Sequence, residues 1–288
     1  MPTTTHQQAG EALPRPLIVI GVPCAGVLLV LFFMIRGFPY DKLGELIANR
    51  IEQSHGIQLT FVDVGPTLQF AGPALEATRL RAKFPDQPLQ QIDRALIRPA
   101  WSLSWFVGEP VLHVELESPS GSADGTLRWN GVTSWAGTIR DARPELPPIA
   151  DWIPTGGFEG NLEATLDVSM TEEGPEGWVE FEIQDGSISL PGFSVPLPFK
   201  SLTGEVSLGG DAYATLTSLS LDGPDVSGSG SGKIGHAERL EQAPIGFEFE
   251  LDVKPTISRA VSAGGVKVSP GGEALAKISG TVAKPKIR

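Results

Sequence analysis

From Ile57 onward, apolar and polar residues alternate with a period of two. Leu112, Val114 and Leu116 alternate with His113, Glu115 and Glu117. Leu162, Ala164, Leu166, Val168 and Met170 alternate with Glu163, Thr165, Asp167 and Ser169. Val179, Phe181 and Ile183 alternate with Glu180, Glu182 and Gln184, and Phe247, Phe249, Leu251 and Val253 with Glu248, Glu250 and Asp252. Side chains of a strand point to opposite faces in turn, so this pattern makes strands with one apolar and one wet face. Gly 34 and Pro 25 together make roughly a fifth of the chain and oppose long helices. Turn signals recur at Ser120-Gly121, Asp124-Gly125, Asn130-Gly131, Asp185-Gly186, Asp222-Gly223-Pro224 and Gly264-Gly265. Asn-Gly and Asp-Gly accept positive φ, so the expected sheet is antiparallel and built of consecutive hairpins.

More than ten such strands present an apolar face, and the sequence offers almost no helix to cover it. The expected fold class is therefore all-β: a curved antiparallel sheet forming a trough, a half-open barrel or a sandwich. Leu166, Val168, Phe181, Ile183, Phe247 and Phe249 are expected on one side of it, as a closed core or as an apolar groove. A groove would need a ligand such as lipid to cover it.

Ahead of the strands, residues 17–35 read LIVIGVPCAGVLLVLFFMI without a charge. As a helix this run spans roughly 28 Å, close to a hydrocarbon core of about 30 Å. It predicts one transmembrane helix behind a short tail, 1–16. A cleaved signal peptide fits less well, because no small-x-small site follows, and Pro23 before Cys24 is wrong for a lipobox. Arg15 precedes the run and Arg36 and Lys42 follow it, so the positive charges barely choose an orientation. A large acidic β domain behind an N-terminal anchor suits a bacterial periplasm. A short amphipathic helix is expected over 41–54, capped by Asp41 and ended by Gly56, with Leu43, Leu46, Ile47 and Ile51 at helical spacing. The expected organisation is an N-terminal β sub-domain over 36–140, a proline-rich connector over 141–157 and a C-terminal β sub-domain over 158–288.

Chemistry-bearing motifs are few. Net charge is −12 with pI about 4.8, which argues against nucleic acid, since that partner requires a basic face. One cysteine, Cys24, excludes disulfides and cysteine zinc clusters, and no two of the four histidines are close in sequence. Gly230-Ser231-Gly232-Lys233-Ile234-Gly235 matches a dinucleotide fingerprint, but it sits among period-two strands and reads as a tightly approached strand. His55, His113 and His236 read as surface histidines. Trp101 and Trp105 frame a segment that is apolar on both parities, suited to core packing or to lipid contact. No nucleophile–base pair can be named, so the expectation is no enzyme, no cofactor and no metal.

The order of segments carries a resemblance. After the apolar run come GIQLTFVDVGPTLQFAGPALEATRLRAKF, QIDRALIRPAWSLSWFVGEP and LHVELESPSGSADGTLRW, and the chain closes with ISGTVAKPKIR. This layout resembles type II secretion system protein N (GspN), within the wider group of AsmA-like envelope proteins. The resemblance covers about 15–288 and rests on diffuse motifs, none of them catalytic. It implies an inner-membrane anchor, a periplasmic β domain, other type II secretion subunits as partners and a role in protein export. The wider group implies a hydrophobic β trough and the handling of lipid.

Overall fold

The computed structural model describes residues 39–287 apart from 57, 71, 84–88, 101–110, 130–131, 147–156, 172–173, 189–195, 238 and 264, and outside that range only Leu29 and Gly37. The expected span 17–35, apart from Leu29, lies outside the described residues, as do Trp101, Trp105 and most of the proline-rich connector. No helix among the described residues is long and apolar enough to cross a membrane.

Helix α1 spans Tyr40–His55 and ends where expected, at Gly56 in the left-handed region with φ 69. Its N-terminus differs from expectation. Pro39 takes the cap position with no side-chain hydrogen bond, and Asp41 lies inside the first turn. Pro39 carries no side-chain acceptor, so it offers the N–H groups of the first turn no side-chain cap. Leu46, expected on the apolar side, is exposed. Gly44 faces β structure instead: a Cβ there would come within 3.2 Å of Val64 Cγ2.

The strands are β1 (Gln58–Thr60), β2 (Asp63–Gln69), β3 (Gly72–Lys83), β4 (Leu89–Pro99), β5 (Val111–Ser118), β6 (Gly121–Trp129), β7 (Thr133–Ala142), β8 (Phe158–Thr171), β9 (Gly174–Ile188), β10 (Leu197–Leu208), β11 (Ala214–Asp222), β12 (Val226–Ile234), β13 (Pro244–Val253), β14 (Glu273–Thr281) and β15 (Lys284–Ile287). Each pairs antiparallel with its neighbour in one continuous sheet, running from the β1/β2 edge to β15. β1 and β2 form a single interrupted edge strand against β3, with Thr60↔Arg81 followed by Asp63↔Thr78. The two edges do not meet, so the sheet is curved and open; it is neither a closed barrel nor a two-sheet sandwich. The 141–157 stretch joins β7 to β8, which pair directly, so the ladder runs unbroken past it.

Two expected turns are absent. Asp185-Gly186 lies inside β9 and Asp124-Gly125 inside β6. At the first site the local signal for positive φ is right: Asp185 has φ 49. It serves a bulge, where Glu159↔Ser187 gives way to Asn161↔Gln184. Asp141, φ 51, marks a second bulge between Ile139 and Ala142. Bulges bend a strand and raise its twist, which curves a sheet of this width.

Packing concentrates in the C-terminal strands. Ile183, Phe199 and Leu202 form one buried cluster. Val226, Val253, Ala274 and Ala276 form another with Val261 and Val266, contributed by the β13–β14 connection and its short helix α2 (Ser258–Ala263). Full burial of such a side chain contributes about 1.5–3 kcal/mol.

Candidate functional site: an apolar trough

Strand register builds the site. Three rows of residues cross the C-terminal strands on one face, each row made of directly opposed pairs. The first is Leu162–Ile183–Leu202–Leu221–Gly228–Leu251–Ala274, and the second Ala164–Phe181–Gly204–Leu219–Gly230–Phe249–Ala276. The third is Leu166–Val179–Val206–Leu216–Gly232–Phe247–Ile278. The six residues expected to share a face do so: Phe181, Ile183 and Phe249 line a cavity of about 620 Å³, while Leu166, Val168 and Phe247 extend the same face beyond its wall.

The cavity is lined from Ile139 on β7 to Ile278 on β14, with Val261 and Val266 of the β13–β14 connection among its lining residues. Among its described lining residues only Ser229 has a polar side chain, and none is titratable. Its volume lies within the range of about 300–1,000 Å³ usual for small-molecule sites. Several wall residues (Val179, Phe181, Leu219, Phe249 and Leu251) are half-buried, although they face inward. A closed core of aliphatic and aromatic side chains would bury them fully. The wall therefore keeps apolar surface that protein does not cover.

Glycines set its depth. A Cβ on Gly204 would stand 2.5 Å from Phe181 Cζ, and Cβ atoms on Gly230 and Gly232 would overlap the rings of Phe249 and Phe247. Each ring thus lies against the backbone of the next strand, where any side chain would push it up into the trough. The Phe247 and Phe249 rings stack with centroids 6.2 Å apart and planes 16° apart. This accounts for the Ser-Gly tract of β12, whose fingerprint-like spacing holds no strand–turn–helix for a dinucleotide.

The sequence also hid a polar cluster on the opposite face of the N-terminal strands. Arg94 Nε donates to Glu76 Oε1 at 2.7 Å and its Nη1 to Glu117 Oε1 at 3.1 Å. The hydrogen bond that Arg94 donates to Glu76 is the main cause that raises the Arg94 pKa above its ordinary value, against the effect of burial. Both folded and unfolded values lie far above neutrality, so the stability this pair contributes is fully present below them, throughout the neutral range. His113 Nε2 lies 3.2 Å from Glu115 Oε1 and 3.0 Å from Asp124 Oδ2, a grouping of a kind that can hold a metal ion. Arg98 Nε approaches the same Glu115 oxygen at 3.9 Å, so the cluster already carries a cation and reads as a charge network. Asp124 opposes Glu115 across β5 and β6, a proximity that only strand register reveals. His236 lies apart, with Nε2 3.0 Å from the Gly210 carbonyl.

Neither a protein-family model, nor a curated protein, nor a solved structure matches this chain.

Proposed function

We propose that this protein is a non-catalytic component of a bacterial envelope that holds lipid acyl chains in its apolar trough. The observation that carries this reading is the half-buried, nearly all-apolar wall around about 620 Å³. Acyl chains gain about 0.8 kcal/mol per buried methylene, so ten of them offer about 8 kcal/mol before the costs of ordering. With no titratable group in its described wall, the cavity suits holding rather than reacting. Native mass spectrometry of the full chain extracted from membranes tests this. Copurifying phospholipid or another acyl lipid is expected; a lipid-free protein that takes up no fatty-acyl probe would overturn the reading.

The resemblance to type II secretion system protein N supplies the setting, an accessory subunit of the secretion machinery. It is supported by the order of the quoted segments and by the uncharged run 17–35, which suits a single inner-membrane span with the bulk of the chain in the periplasm. Alkaline phosphatase fused after Arg288 should be active. An inactive fusion beside an active cytoplasmic reporter overturns the orientation, and unchanged export after deletion of the gene overturns the secretion role.

A further inference from the structure

We infer that the tip of the β2–β3 hairpin, carrying Leu68 and Phe70, is a wedge that enters the interfacial layer of a lipid bilayer. The inference rests on the anchored reading above and adds a second, independent point of membrane contact.

Phe70 is fully exposed and Leu68 is 84 % exposed, the two most exposed large apolar side chains among the described residues. From Val64 to Leu75 the chain carries no charge. Pairing of β3 with β4 reaches only to Leu75↔Ile97, while β2 pairs onward to Gln69↔Gly72. β4 itself runs on two residues past Ile97 to Pro99, paired there with β5, so the three residues of β3 before Leu75 part from β4 and carry the tip about 10 Å beyond their last shared pair. Ile97, also exposed, stands at its base.

Direction and reach come from α1. Its C-terminal Gly56 leads into β1 and its Gly44 abuts Val64, so the helix runs antiparallel to β1 and β2 and its start points toward the hairpin tip. The uncharged run 17–35 ends nine residues before Gly44. Tyr40–Gly44 is helical and rises about 6 Å, so with the five residues before it the distance would be about 14 Å as continuous helix and about 23 Å at full extension of those five. Phe70 stands six residues beyond Val64, about 20 Å along a strand. A reach of about 20 Å falls within that range, so a span over 17–35 would end near the level of the tip.

A bilayer fits this tip better than a protein partner does. A stable protein interface needs about 800 Å² on each side, far more than one phenylalanine and one leucine supply. A bilayer needs no matching surface, and the proposed span would hold the tip beside it at high effective concentration. Two attachment points would also stop the sheet from swivelling about its anchor.

The test uses the full chain in phosphatidylethanolamine–phosphatidylglycerol vesicles. Cys24→Ser removes the one native thiol, and Phe70→Cys or Lys83→Cys places an environment-sensitive fluorophore in the β2–β3 turn or at the far end of β3. Emission at position 70 should shift to the blue and be quenched several-fold more by nitroxide-labelled lipid than emission at position 83. Equal quenching at both sites, or none at position 70, overturns the wedge while the chain still floats with the vesicles. A blue shift without lipid quenching assigns the tip to a protein partner and overturns it too. A full chain that does not float with vesicles overturns the anchored reading and the wedge together.

Discussion

The two halves of the sheet share one alternating pattern and solve opposite problems. In β3 to β7 the polar face is held together by cross-strand ion pairs: Arg94 with Glu76 and Glu117, and Arg98 with Glu115. In β8 to β11 the polar face sets like charges directly opposite one another, Glu163↔Glu182 and Glu180↔Glu205. Composition follows suit. Residues 36–140 hold ten Lys and Arg against eleven Asp and Glu, whereas 158–288 hold ten against nineteen. Like charges opposed across strands are destabilising. The C-terminal half is held instead by its apolar face, through the clusters around Leu202 and Val253, and it is this half that keeps the cavity. One half is secured from its wet side and the other from its dry side.

The largest expected effect lies in the C-terminal floor. Leu202→Asp puts an unpaired carboxylate at a 4 %-exposed position and should cost more than about 4 kcal/mol, abolishing a cooperative denaturant transition. Ile97→Asp, on the same apolar face but exposed in the N-terminal half, should shift that transition by less than about 0.5 kcal/mol. Equal effects at the two positions would erase the contrast. Next comes the floor of the trough. Gly230→Val should cost about 1–3 kcal/mol by overpacking against Phe249. Pairing it with Phe249→Ala should be less damaging than the sum of the two changes, because they share one contact; strict additivity in a double-mutant cycle would show that ring and glycine are not coupled.

Electrostatic changes should be smaller. Arg94→Ala leaves Glu76 and Glu117 without their partner and should cost about 1 kcal/mol, with the loss shrinking at high salt. Lys277→Ala removes one exposed pair with Glu248 and should cost less than about 0.5 kcal/mol. The smallest change carries the opposite sign. Glu180→Gln relieves its repulsion with Glu205 and should stabilise by a few tenths of a kcal/mol. A destabilised Glu180→Gln, measured by urea denaturation at low salt, would remove like-charge repulsion from the account of the C-terminal half.

Alternation determined that this chain builds strands and that Leu166, Val168, Phe181, Ile183, Phe247 and Phe249 share a face, turn signals that the strands run antiparallel, and a glycine after helical spacing that a helix ends at Gly56. Those outcomes follow from backbone geometry that repeats every two or 3.6 residues and needs no distant partner. Tertiary structure decided the rest. Asp124-Gly125 and Asp185-Gly186 carry hairpin signals, yet both sit inside strands: Asp185 keeps a left-handed φ but uses it in a bulge, whereas Asp124 and Gly125 take no positive φ and pair in unbroken register with β5 and β7. Leu96 and Ile97 are adjacent and equally apolar. Leu96, in register between Glu76 and Glu115, is completely buried, while Ile97 on the apolar face is exposed. The glycines of β12 mark a closely approached strand but not that Phe247 and Phe249 are what lie across them, nor does any spacing connect Val261 and Val266 to a cavity wall that begins at Ile139. Periodicity assigns a side chain to a face; whether that face ends as core, rim or open trough depends on which strands curve over it, and that is settled by register and bulges between residues far apart in the chain.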